Sequence, residues 1–231
     1  MSSLCLFVEF FQNENLYRRS EVKYCIDCNI NSNIFDRVYI IGKNFENTFM
    51  TPINSTKTSV HLISLSSRCT FKKMYQIINE VCKPDDIAVI SNNDIYFDNT
   101  IELCRTFNLT NYFLALLRRD VNKDNTSQLF EYDINDCFGR KGHRGDSQDV
   151  WIAKTPIRIP NNSDFFFGIP GCDNRIAYLM EEQNYKVVNP CYDINIYHLH
   201  LSNKRNYIQG KDIVNGPYKL NISPCFLSQL K

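Results

Sequence analysis

The sequence predicts an α/β fold: a central, mostly parallel sheet flanked by helices, with a small antiparallel extension, in one domain over residues 1–231. Short apolar and β-branched runs alternate with segments of helical apolar spacing up to about residue 98, the pattern of a parallel sheet with helices on its faces. The run Ile87-Ala88-Val89-Ile90 is continuously apolar, as a strand buried on both faces must be. A chain of 231 residues with 43% hydrophobic content can fill one sizeable core.

Residues 4–11, apolar and aromatic, make the first strand. The polar loop Gln12-Asn13-Glu14-Asn15 follows, and residues 16–30 then place Val22, Cys25, Ile26 and Ile30 at helical spacing, completing a β-α unit. Residues 37–42 and 59–65 read as the second and third strands. A helix over 70–82 sets Phe71, Met74, Ile77, Ile78 and Val81 on one stripe. The fourth strand covers 86–91, with Pro84 marking its entry, and a short helix is expected over 99–107. The rhythm then changes: 112–117, 128–132 and 149–153 are strand-like pieces between polar loops, which predicts the mixed or antiparallel extension. Residues 171–183 read as a helix with Ile176, Leu179 and Met180 inward, and 186–188 and 194–201 as closing strands. The polar segment 120–146 is the candidate mobile loop.

Lys and Arg number 26 against 25 Asp and Glu, so no basic excess points to nucleic acid or an anionic membrane, and any anion site is local. No stretch approaches the roughly 18 apolar residues of a membrane span. The first residues lack a signal peptide's basic lead, and Glu9 interrupts their apolar run. The expectation is a soluble, cytoplasmic protein. Most of the ten cysteines fall within expected helices and strands and read as buried thiols. Cys25-x-x-Cys28 has redox or zinc spacing, but it sits inside a helix with no second pair, so it reads as core and surface thiols.

Three clusters carry chemistry. Asp94 lies just beyond the carboxyl end of the fourth strand, where open α/β sheets bind ligands. Asn92-Asn93-Asp94 offers hard oxygen donors of the kind Mn2+ or Mg2+ accepts, although an aspartate there also suits an Asx turn or a helix cap. The turn Gly168-Ile169-Pro170-Gly171-Cys172-Asp173-Asn174 delivers Asp173 to a helix N-terminus, as a cap or as a general base. In Tyr197-His198-Leu199-His200, strand alternation puts both histidines on one face, able to complete a metal shell or contact a diphosphate. Lys204 and Arg205, one loop later, could neutralise phosphates or simply face solvent.

With Asn92 and Asp94 at a strand end, the GxxGCDN turn at Asp173 and the late HxHxSxxR of His198, His200 and Arg205, the chain resembles metal-dependent nucleotide-sugar glycosyltransferases of the Rossmann-like GT-A fold, over about residues 4–207. The resemblance is closest to compact soluble members from large DNA viruses and microbes. It implies a nucleotide-binding half over 1–98 and an acceptor and catalytic half over 99–231. Asp94 would be the principal carboxylate on Mn2+ (or Mg2+), with Asn92 and Asn93 supporting; Asn92 stands where such proteins usually carry the first aspartate. One of His198 and His200 would close the metal shell, and Asp173 would be the base of an inverting transfer. Phe10, Arg18, Arg19 and Glu21 would hold the base and ribose, Arg68 would approach the diphosphate, and Gln148, Asp149 and Trp151 would lie near the sugar and acceptor. The implied partners are a nucleotide-sugar donor, UDP-linked, and a glycan or other hydroxyl acceptor.

Two other readings remain at this point. A sugar nucleotidyltransferase would want a glycine-rich basic phosphate loop after the first strand, which Gln12-Asn13-Glu14-Asn15 does not supply. A carbohydrate-binding module would bind no nucleoside diphosphate with metal. Abundant Asn, Ile, Lys and Tyr accord with an AT-rich, viral genome, and the location would then be host cytoplasm. Sugar, base, acceptor and oligomeric state are not set by the sequence.

Overall fold

The computed structural model describes residues 2–11, 13–43, 45, 57–136, 139–202, 204, 208 and 211–230. The elements are β1 (Leu4–Phe10), α1 (Leu16–Asn31), β2 (Arg37–Gly42), β3 (Ser59–Ser64), α2 (Phe71–Val81), β4 (Ile87–Ser91), β5 (Ile95–Phe97), β6 (Tyr112–Leu116), β7 (Arg119–Val121), β8 (Ser127–Leu129), β9 (Val150–Lys154), α3 (Cys172–Glu182), β10 (Lys186–Val188) and β11 (Ile196–His198). Asn99–Arg105 forms a 3-10 segment, capped by Asp98, whose carboxylate accepts from Thr100 N. Asp98, and not Asp94, therefore has the capping role.

Seven strands form the central sheet in the order β10-β6-β9-β4-β1-β2-β3. Every neighbouring pair is parallel except those of β9, which runs antiparallel between β4 and β6. A second sheet has the order β5-β11-β7-β8. This small sheet, with its antiparallel pairs β5–β11 and β7–β8, is the expected extension, but two of the pieces assigned to it belong elsewhere: β6 and β9 are central-sheet strands, and their apolar character is that of strands covered on both faces. Part of the expected mobile loop, from 120 on, is the β7–β8 pair.

Period-2 alternation along β1 divides the core into two clusters. Leu4, Leu6 and Val8 face the side covered by Val22, Ile26 and Ile30 of α1. Cys5 and Phe7 face the side covered by Met74 and Ile78 of α2 and Ile176 and Met180 of α3. Asn15 caps α1 by accepting from Arg18 N at 3.0 Å, and Thr70 caps α2 by accepting from Lys73 N at 3.3 Å. The inward stripe of α1 runs Arg18, Val22, Cys25, Ile26, Asn29, Ile30, so it carries a cation at one end. Asn29 ties this helix to β5, donating to Ile95 O at 2.9 Å and accepting from Phe97 N at 3.1 Å.

Trp151 belongs to this core. It is 0% exposed and packs edge-to-face on Phe71 with ring centres 5.0 Å apart. The place that the resemblance implied for Trp151, near the sugar and acceptor, is thereby corrected, because alternation does not show which face of a doubly covered strand meets a ligand. Trp151→Ala should cost about 3–5 kcal/mol of stability, read from a denaturant unfolding midpoint.

Candidate functional site

The carboxyl ends of β1, β4 and β6 and the amino end of the antiparallel β9 meet at one edge of the sheet. They open a cleft of about 420 Å³, a volume suited to a small-molecule ligand.

Asp94 lines it. The chain leaves β4 at Ser91, turns through Asn92 and Asn93, and enters β5, which pairs antiparallel with β11 so that Ile95 faces His198. Leu199 N donates to Asp94 O at 2.9 Å, fixing the turn. The strand expected over 194–201 thus ends at His198, and His200 lies beyond it, yet both imidazoles reach Asp94. His198 Nε2 lies 3.0 Å and His200 Nδ1 3.9 Å from Asp94 Oδ2. His198 Nδ1 lies 2.8 Å from Asp120 Oδ1.

The same Asp94 oxygen accepts from Arg18, an ion pair in which both side chains are buried. Arg18 Nη1 also donates to Leu199 O at 3.1 Å and to Glu21 Oε2 at 3.2 Å. Glu21 in turn accepts from Ser202 N and Oγ, each at 2.7 Å. Burial alone would raise the Asp94 pKa, but the His198 and Arg18 cations outweigh it and hold the carboxyl far below its usual range. Burial works against the charged form of His198 as well; Asp94, then Asp120, outweigh it and push the pKa up to about 9.

Ligand atoms of Asp94, His198 and His200 lie within 4.8 Å of one another. One carboxylate and two imidazoles suit a divalent cation such as Mn2+, and Asp120 on the far nitrogen of His198 is the kind of partner that orients a metal-binding histidine. The residues present therefore fit a divalent cation. Here His198 and His200 are both within reach of it.

A second network forms the adjoining wall. Asn92 Nδ2 donates to Asp149 Oδ1 at 2.7 Å, and Arg118 donates from Nη1 to Asp149 Oδ2 and from Nε to Asp120 Oδ1, both at 2.8 Å. The Arg118 guanidinium lies 4.0 Å over the Phe130 ring. A continuous polar chain thus runs from His198 through Asp120, Arg118 and Asp149 to Asn92. Sequence reasoning missed Arg118 and Asp120, although Arg118 follows the apolar run of β6 as Asp94 follows that of β4. Arg118→Met leaves a buried Asp149 without its cation and should lower stability by about 3 kcal/mol, measured by chemical unfolding.

Asp173 faces the same cleft from α3. Gly171 precedes the helix at φ +83°, and a Cβ there would meet Val214 O at 3.0 Å, so the turn needs glycine twice over. Asp173 accepts from Asn174 N at 2.9 Å and from Gln148 N at 3.2 Å, which ties α3 to the start of β9. Burial pushes its pKa up to about 6, against those two hydrogen bonds and with help from Asp149. Such a carboxylate is ionised at neutral pH yet basic enough to take a proton. Nearby, Gln148 is 2% exposed, and among the described residues its Oε1 has no hydrogen-bond partner.

Arg68 lines the cleft, paired with Glu9 at 2.9 Å, its guanidinium 4.6 Å over the Phe11 ring. Asn93 and Lys204 line it too. Phe10 does not: it is 1% exposed and packs near Phe45, while Phe11, the residue just past the end of β1, lines the cleft. Arg19 turns away to donate to Asn13 O at 2.9 and 3.1 Å, holding the loop after β1, and Glu21 serves Arg18 and Ser202 instead of the cleft wall. Arg205 lies outside the described residues.

No protein-family model and no curated protein sequence matches the chain. Among solved structures, GalNAc-T7 with UDP, GalNAc and Mn2+ is similar at a TM-score of 0.54 and 10% identity, over 95% of this chain and 47% of that one. 4-Diphosphocytidyl-2C-methyl-D-erythritol synthase from Anaerococcus prevotii is similar at 0.47 and 8%, over 90% and 94%. HddC from Yersinia pseudotuberculosis is similar at 0.43 and 10%, over 71% and 83%. The chain spans about half the length of GalNAc-T7, and that likeness, with the seven-stranded sheet and its helices, shows a Rossmann-like GT-A fold.

Proposed function

We propose that this protein transfers a sugar from a nucleoside-diphosphate sugar, UDP-linked, to a hydroxyl of a glycan or other acceptor, with a divalent cation and with inversion at the anomeric carbon. One observation carries the reading: a single cleft pairs the Asp94, His198 and His200 donor set with Asp173, a carboxylate tuned to about 6. The first suits a leaving diphosphate and the second an acceptor hydroxyl. The GT-A fold and the UDP and Mn2+ in the GalNAc-T7 structure support it.

Mn2+ or Mg2+ on Asp94 and a histidine would supply the positive charge that stabilises a departing nucleoside diphosphate. Arg68 and Lys204 add positive charge to the same cleft. Asp149, held by Arg118, orients the Asn92 amide so that its oxygen is left for ligand. Gln148 Oε1 is an acceptor for a sugar hydroxyl. Asp173 takes the proton of the attacking hydroxyl. The first half of the chain, 1–98, supplies most of the donor site and 99–231 the acceptor side.

Because the base acts when ionised, turnover should rise as pH increases through about 6 and then level off, which a pH–rate profile checks. The activity itself is tested by incubating the protein with UDP-, GDP- and dTDP-sugars and Mn2+. Release of nucleoside diphosphate is expected. Formation of pyrophosphate from a nucleoside triphosphate and a sugar 1-phosphate, with no donor turnover, would instead identify a nucleotidyltransferase.

A further inference from the structure

We propose that Arg18 is a built-in competitor for the cation site: in the nucleotide-free protein its guanidinium occupies the Asp94 oxygen that a divalent ion needs, and a diphosphate must arrive for the ion to bind well. This rests on the cation-assisted reading of the cleft and adds its regulation.

Arg18 is placed for this by the helix, not by the turn that carries Asp94. It heads the buried stripe of α1 and is 5% exposed, so its head is delivered into the cleft wall with little freedom to leave for solvent. It contacts the same oxygen, Oδ2, that lies nearest His198 and His200. A divalent ion seated among those three side chains would therefore sit against a guanidinium, and like charges at contact distance repel strongly where water is scarce. Ion and guanidinium therefore compete for that carboxylate.

The surroundings also hold the side chain by contacts that do not involve Asp94. Glu21 and Leu199 O hold Nη1 independently of Asp94, so these two contacts keep the guanidinium in the wall when Nη2 lets go. Among the described residues Arg18 Nε is buried without a hydrogen-bond partner, so the fork is not fully committed to its present pose. Arg18 lines the cleft, and a diphosphate there offers oxygens to both the guanidinium and the ion. The anion converts a repulsion between two cations into a shared attraction. Cation and nucleoside diphosphate should consequently bind with strong positive coupling, and Arg18 should be the source of much of it.

The test is Mn2+ binding to the wild-type protein and to Arg18→Met, followed by electron paramagnetic resonance of the free ion, with and without UDP. Arg18→Gln serves as a second variant, and thermal melting checks that each is folded. Without UDP, both variants should bind Mn2+ at least about tenfold more tightly than wild type, and the tightening caused by UDP should shrink by a similar factor. An Asp94→Asn/Arg18→Met double variant should lose the gain. Unchanged or weaker Mn2+ binding in the folded single variants, with UDP-dependent binding intact, overturns the competitor role alone. A gain that persists in the double variant also overturns it, since the ion would then lie elsewhere. Absence of Mn2+ binding in every protein, with and without UDP, overturns the cation-assisted reading and the competitor role with it.

Discussion

Asp94→Ala is expected to remove cation-assisted nucleotide binding and, at the same time, to lower the unfolding free energy by about 3–5 kcal/mol at neutral pH, because it leaves two buried cationic groups, Arg18 and His198, without their shared anion. The pH dependence of stability separates this from a simple packing loss. The folded pKa of Asp94 is depressed, so its contribution is present above the ordinary value of 3.8 and is lost only in strong acid. The folded pKa of His198 is raised, so its contribution is complete below 6.5 and is lost as pH rises through about 9. Wild-type stability should therefore decline over the window from about 6.5 to 9 by more than that of the variant, whose His198 has lost the Asp94 carboxylate. Denaturant unfolding at pH 6, 7.5 and 9 measures this. An equal decline in both proteins would show that Asp94 does not hold the imidazolium.

Asp173→Asn should reduce kcat by about 10²–10⁴-fold, the usual contribution of a positioned general base, with the donor KM little changed. The isosteric amide retains one oxygen to accept from Asn174 N or Gln148 N, so the turn should keep its shape. The rise of rate through pH 6 should disappear with the carboxylate. Loss of donor affinity without loss of turnover would assign Asp173 to binding, and a product of retained anomeric configuration would remove its role as base. The metal-side and base-side variants act on different groups of one cleft and so should separate kinetically.

Much of the fold could be read from local pattern. Residues 37–42 form β2 as expected, and α2 occupies Phe71–Val81 within the expected 70–82, with Thr70 as its cap. Both are set by short-range features: a β-branched run, an apolar stripe, a threonine at the right offset. Sheet membership was not legible in this way. The runs at 112–116 and 150–154 enter the central sheet through pairing with strands far away in sequence, which no window of residues displays. β5 and β11, three residues each, are too short for periodicity to register, yet their pairing is what brings His198 to Asp94.

The site was partly visible for the same reason. Asp94, Asp173 and the two histidines stood out because polar groups clustered at strand and helix ends. Phe10 and Phe11 differ by one residue, and only the observed parity of β1 tells core from cleft. Trp151 had the composition of a sugar-stacking residue and the environment of a core one. Arg18 was detectable as a charge on an apolar stripe, but its partner, 76 positions away, was not. Arg118 could have been found by the rule that located Asp94, a charge directly after a buried strand.

The central claim, that this cleft binds a nucleoside diphosphate with the help of a cation at Asp94, is tested most directly by titration calorimetry of UDP and GDP, with and without Mn2+, on the wild-type protein and on Asp94→Asn. Tight binding of one nucleotide only when Mn2+ is present, and its loss in Asp94→Asn, is the expected result. Nucleotide binding that is indifferent to Mn2+ and to Asp94, or no nucleotide binding at all, would contradict it.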